Sequence, residues 1–198
     1  MNNALIEEWR AYVARHKLRV AIVGGLVATH VTTNLGMWYH GIGLPDLNFN
    51  LLNGYLVMGN PGFDPAKFSD PVVLTLFGAA AHYAQGVSFA LIFAFGVYPL
   101  LPIASTLVGN FAKAIIWGMA LATLSAVWWI NLFPNLAGPG TSAGIFMVNL
   151  GADWWKWLLA VYLWHFVYGF TLGAFFNPAP TPAMEESMAM APAESSAM

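Results

Sequence analysis

Four stretches of this chain are long and apolar enough to cross a lipid bilayer, and this leaves few folds open. A spanning helix needs roughly 20 mostly apolar residues. The stretches are 18–40 ("LRVAIVGGLVATHVTTNLGMWYH"), 72–98 ("VVLTLFGAAAHYAQGVSFALIFAFGVY"), 111–133 ("FAKAIIWGMALATLSAVWWINLF") and 152–176 ("ADWWKWLLAVYLWHFVYGFTLGAFF"). In hydrocarbon every backbone N–H and C=O must be paired within the segment, so such runs read as helices. The expected fold is all-α: a four-transmembrane-helix bundle over 18–176. Before it, Leu5, Trp9 and Val13 form a stripe at helical spacing, which predicts an amphipathic interfacial helix in 1–17. After it, 177–198 holds Pro, Ala, Ser and Glu without a packable face, which predicts a disordered tail.

Composition narrows the function classes. The chain is 59% hydrophobic and 8% charged, against about 25% charged in soluble domains. Seven Lys and Arg cannot assemble a nucleic-acid-binding face. With no cysteine, disulfides, thiolate metal sites and thiol catalysis drop out. Residues 1–19 carry Glu7 and Glu8 and lack a small-residue cleavage pattern, so they do not read as a cleaved signal. Arg10, Arg15, Lys17 and Arg19 precede the first run, which argues for a cytoplasmic N-terminus and, after four spans, a cytoplasmic C-terminus. The loops 41–71 and 134–151 then lie outside, with Trp38, Tyr39, Trp154, Trp155 and Trp157 as an aromatic belt. The expected location is a bacterial inner membrane. The expected partners are the lipid bilayer and other membrane subunits.

A shift of 83 positions aligns His82 with His165, Gly86 with Gly169, Ala90 with Gly173 and Phe93 with Phe176. A looser match, at a shift of 94, relates "LVATH" (26–30) to "ALATL" (120–124). Together they suggest two duplicated helical hairpins.

Three histidines carry the functional question. His30, His82 and His165 each lie ten or so residues inside a predicted span, roughly 15 Å along the helix at ~1.5 Å per residue. That depth is near the middle of a ~30 Å hydrocarbon core. A polar group facing lipid there is costly, so the three imidazoles are expected to face the bundle interior as one layer. One reading is that two of them ligate haem b or a chlorin, or that all three hold a metal ion, since neutral imidazole is a common ligand for both. The glycine one turn after His82 and after His165 leaves room for a flat ring, and Phe89, Phe93, Trp164 and Phe166 can pack around it. The other reading is structural: the imidazoles hydrogen-bond across helices to Thr, Tyr or Asn and hold the bundle in register. No Asp or Glu lies at mid-span to carry protons or bridge metals. Asp46, Asp64, Asp70, Asp153, Lys67 and Lys156 line the outer loops, where caps and interface anchors are the simpler account. No phosphate loop, metalloprotease pair or nucleophile elbow appears, so enzymatic activity stays open.

"ATH" in the first span, "AHYAQG" in the second and "HFVYG" in the fourth resemble a family of small uncharacterised four-helix bacterial membrane proteins with a histidine in spans one, two and four. The resemblance covers 18–178. It implies a placement for His30, His82 and His165 and no activity. The expected function is an accessory or cofactor-holding subunit of a membrane electron-transfer complex, respiratory or photosynthetic. The alternatives are a small transporter or channel, and a membrane-embedded enzyme acting on a lipophilic substrate.

Overall fold

The computed structural model describes residues 3–180. Among these residues the chain is all helix and loop, with six α-helices: α1 (Asn3–Arg15), α2 (Lys17–Gly36), α3 (Phe49–Val57), α4 (Pro71–Ile92), α5 (Leu107–Val127) and α6 (Trp154–Phe175). The apolar runs of α2, α4, α5 and α6, the last turns of α4 and α5 included, are long enough to cross a membrane. They match the four predicted spans with shifts at the ends.

Those ends follow capping chemistry. Asp70 accepts from the Val72 and Val73 amides at 2.9 and 3.1 Å, and Pro71 opens α4. This is the expected cap, with proline where no amide partner is needed. Thr106 caps α5 through the Gly109 amide at 3.0 Å, four residues before the predicted start. Asp153 sits at the head of α6 but makes no cap hydrogen bond; it pairs with Lys156 at 3.2 Å. The first span stops at Gly36 rather than residue 40, because the chain turns there through a short 3₁₀ segment, Tyr39–Ile42. At its far end α4 loosens into a π-helical stretch, Phe93–Val97.

Helix order in space is set by small residues. α2 packs against both α4 and α6, and α5 packs against α6. A Cβ on Gly86 of α4 would run into Thr29 of α2, and one on Gly169 of α6 would run into the Ala114 carbonyl of α5. Lipid gives helices little hydrophobic drive to associate, so such close seats supply the packing. α4 and α5 share no seat of this kind. They converge through the π-helical stretch, next to the loop that joins them, and lean apart beyond it. Across the gap, the Phe89 and Trp117 rings stand 6.4 Å apart. The apolar segment 49–57 folds back as α3 along the first half of α4. The approach is backbone to backbone: Gly54 abuts the Leu74 carbonyl, and Gly78 the Asn50 carbonyl.

The end of the bundle where α1 meets the residues after α6 closes on a polar knot. The Tyr98 hydroxyl stands 3.0 Å from Ser105 Oγ and 2.8 Å from Asn110 Oδ1. Asn110 Nδ2 donates to Asn177 Oδ1 at 2.7 Å and to the Pro178 carbonyl at 2.9 Å. Arg10 of α1 donates to the Ser105 carbonyl at 2.7 Å, and the Ala179 amide donates back to the Arg10 carbonyl at 3.1 Å. Lys113, wholly buried, lies 4.1 Å from the centre of the Tyr98 ring. Two expectations change here. Arg10 is buried, and the stripe expected on α1 divides: Val13 is buried, while Leu5 and Trp9 stay exposed. The tail starts later than 177, since Asn177 and Pro178 are buried; the remainder of the predicted disordered stretch, from 181, lies outside the described residues.

At the opposite end, Asp46 accepts from the His40 backbone amide at 2.9 Å and stands 2.9 Å from its ring Nδ1. The amide bond is the larger cause holding the Asp46 carboxyl below its ordinary value of 3.8. A depressed carboxylate stabilises the fold above its ordinary value and ceases to do so as pH falls through its folded value. The brace on residues 39–46 is therefore complete at pH 7 and is lost only below pH 3.8. Asp46→Asn should speed hydrogen exchange of the His40 amide at pH 7 while leaving the spans protected. In the knot, Asn110→Leu strands the Asn177 amide oxygen and removes one acceptor of Tyr98. Leaving a buried polar group unpaired costs about 1–3 kcal/mol, so this variant should melt several degrees lower in detergent, and an unchanged melting point would refute the knot's role.

Candidate functional site

The gap between α4 and α5 holds a groove of about 570 Å³, its open side included. α4 contributes His82, Gln85, Gly86 and Phe89; α5 contributes Leu121, Leu124 and Ser125. Trp164, His165 and Tyr168 of α6, with Trp129 after α5, build the back wall, and α3 adds Phe49 and Asn53. Leu124 and Trp128 line the cavity yet are 47% and 57% exposed. The groove therefore opens sideways through the surface of the bundle. Charged side chains are absent from the lining.

His82 and His165 are each 6% exposed and each lies about three turns into its helix. Trp164 stands between them, its ring 5.4 Å from His82 and 5.0 Å from His165. Phe49 stacks on His82 at 5.9 Å and meets Trp164 and Trp129 edge-on at 5.1 and 5.2 Å. Tyr168 stacks on Trp164, and its hydroxyl donates to the Gly86 carbonyl at 2.6 Å. That bond joins α6 to α4 beside the place where Thr29 of α2 meets Gly86.

The hydrogen bonds fix opposite tautomers. His165 Nδ1 lies 2.8 Å from the Val161 carbonyl, which only accepts, so Nδ1 carries the proton. Its Nε2 then accepts from the Ser125 hydroxyl at 3.1 Å. His82 Nδ1 lies 3.1 Å from Asn53 Nδ2, an amide nitrogen that only donates. His82 Nδ1 therefore accepts and its proton sits on Nε2. That Nε2 is buried and has no partner.

His30 does not join this layer. It is exposed, less than two turns from the end of α2, on the outward side of the α2–α4 pair. Its Nδ1 meets the Tyr83 hydroxyl at 2.7 Å, and Asn34 Nδ2 donates to its Nε2 at 3.2 Å. The sequence puts the three histidines at similar distances along their helices, but helical phase turns this one outward. Among the described residues, no group of three or more His, Cys, Asp or Glu side chains is placed to hold a metal ion. His30 thus stands apart from His82 and His165. A haem or chlorin clamped between His82 and His165 fits poorly. His165 has the tautomer of a ligand, but Ser125 occupies its lone pair, while His82 carries its proton on the unpartnered Nε2.

Phe49 and Asn53 were not anticipated as site residues. Their signal was present, since they stand four apart behind the helix cap Asn48, whose side chain accepts from the Leu51 amide at 3.0 Å. Lys113, the one lysine in the third apolar run, was likewise visible and passed over. No family model, curated protein or solved structure matches this chain.

The tautomers are measurable. In protein labelled with ¹⁵N-histidine, His165 should show a protonated Nδ1 and a bare Nε2, and His82 the reverse. Ser125→Ala should shift the His165 Nε2 resonance and leave His82 unchanged. Identical tautomers at both sites would overturn this hydrogen-bond scheme.

Proposed function

We propose that this chain is a multi-pass inner-membrane protein whose α4–α5 groove holds a lipophilic small molecule, as an accessory subunit of a membrane electron-transfer complex. The observation that carries this reading is the sideways opening of an uncharged, aromatic-walled groove ending on two buried imidazoles. A molecule dissolved in the lipid phase enters such a groove without crossing water. A path for ions would need charged or carbonyl-lined stations, and the lining has no charged group. A haem- or chlorin-holding role is the weaker form of the cofactor reading, because Ser125 would have to leave His165.

The outward polar trio of His30, Asn34 and Tyr83 supports a partner. Left in contact with acyl chains it is costly; set against a neighbouring subunit it is satisfied. Arg15 at the end of α1 and Lys17 and Arg19 at the start of α2, beside the residues that follow α6, support termini on the cytoplasmic side. α1, with Leu5 and Trp9 exposed, suits the inner membrane surface. The two hairpins, α2–α4 and α5–α6, share one packing rule: the glycine one turn after the histidine seats the preceding span. That favours an origin by duplication.

The test is chemical. The protein is purified in mild detergent, extracted into organic solvent and analysed by mass spectrometry beside Ser125→Trp, which fills the groove with an indole. Wild-type protein should carry a lipophilic compound that the variant carries at less than about a tenth of the amount. Equal amounts in both, or bulk phospholipid alone, would reject a ligand-binding groove. A haem absorbance band lost in the His165→Ala variant would favour the cofactor reading instead.

A further inference from the structure

We infer that the ligand of this groove meets His82 through a neutral hydrogen-bond acceptor on a planar ring, the chemistry of a quinone carbonyl on an apolar tail. This rests on the groove being a lipophile site, as proposed above, and adds the chemical class of the ligand.

Several observations converge on an acceptor. Asn53 fixes the tautomer of His82 and leaves its Nε2–H buried without a partner. An unsatisfied buried donor costs about 1–3 kcal/mol, and a protein retains few of them. His165 offers nothing comparable, because the Val161 carbonyl and the Ser125 hydroxyl engage both of its nitrogens. Among the lining residues the buried polar atoms without a partner are His82 Nε2 and Trp164 Nε1, both donors, and donors select an acceptor.

The charge balance selects a neutral one. No lysine, arginine, aspartate or glutamate lines the groove. A carboxylate or phosphate would enter with no counter-charge, and a buried ion without a partner is strongly disfavoured. An ammonium group would face an N–H. A ketone-type oxygen costs little to desolvate and is repaired by one hydrogen bond.

Wall shape selects the ring and the tail. Trp129, Trp164 and Phe89 present large aromatic surfaces, and aromatic groups prefer offset or edge contacts with another flat ring. The groove, about 570 Å³ with its open side, admits a six-membered ring, and a tail leaves past Leu124 and Trp128 toward lipid. Gln85, on the same wall as His82, is placed to meet a second ring substituent.

The experiment uses full-length protein in nanodiscs, with empty nanodiscs as the control. Oxidised decylubiquinone and decylbenzene, which has a ring and tail but no carbonyl, are each equilibrated with both preparations. The excess ligand retained by protein is measured by mass spectrometry. Wild-type protein should retain the quinone about tenfold more tightly than decylbenzene. His82→Leu should bring that ratio to about one by weakening the quinone alone, and His82→Gln, which restores an N–H at similar reach, should recover most of it. Equal retention of both compounds by wild-type protein overturns the acceptor inference and leaves a lipophile groove. Retention of neither overturns the groove reading as well. If His82→Leu fails to fold, the wild-type ratio and His82→Gln decide: a ratio near one in either overturns the inference.

Discussion

Close contact between small residues and backbone governs this fold. Gly86 accepts Thr29, Gly169 accepts the Ala114 carbonyl, and Gly118 of α5 accepts the His165 carbonyl. These seats pull α2 onto α4 and α5 onto α6 to distances a larger side chain would prevent. Because lipid offers helices little reason to associate otherwise, the pairs that lack a seat stay apart. α4 and α5 are such a pair. The groove therefore follows from where the glycines are, and it needs no dedicated cavity-forming residue.

The same scarcity of alternatives explains the site's polar order. Where it is buried, each imidazole must find its partners among protein groups. His165 finds one on its own helix and one on α5. His82 finds only Asn53, supplied by a short helix that folds back from the loop. The two rings occupy equivalent positions in the two halves of the chain yet emerge with opposite tautomers, because the first half has an inserted helix and the second does not. One ring closes its hydrogen bonds internally and the other keeps a donor open.

At the polar knot the rule is reversed. Arg10, Tyr98, Ser105, Asn110 and Asn177 are buried as a connected set, with Lys113 against the Tyr98 ring. Each supplies what its neighbour lacks. The knot draws α1, the α4–α5 connection and the residues after α6 to a single point. α4 and α5 are thereby held together at that end, and their divergence is directed toward the other.

The sequence by itself determined the helical class, the four apolar spans, the Asp70 cap, and the two histidines followed by glycine one turn later. These are local: run length, capping residues and spacing act within one segment, whatever its neighbours. It did not determine which face each helix turns inward. His30, His82 and His165 look alike in their apolar runs, yet His30 turns outward to Tyr83 and Asn34 while the other two share a cavity. It also did not determine that α3 would deliver Phe49 and Asn53 to the site, or that Arg10 would be buried beside Ser105. Those outcomes depend on rotational phase and on contacts between segments far apart in the chain. The packing of backbone against glycine and the polar knot, properties of several segments together and not of any one helix, decide them.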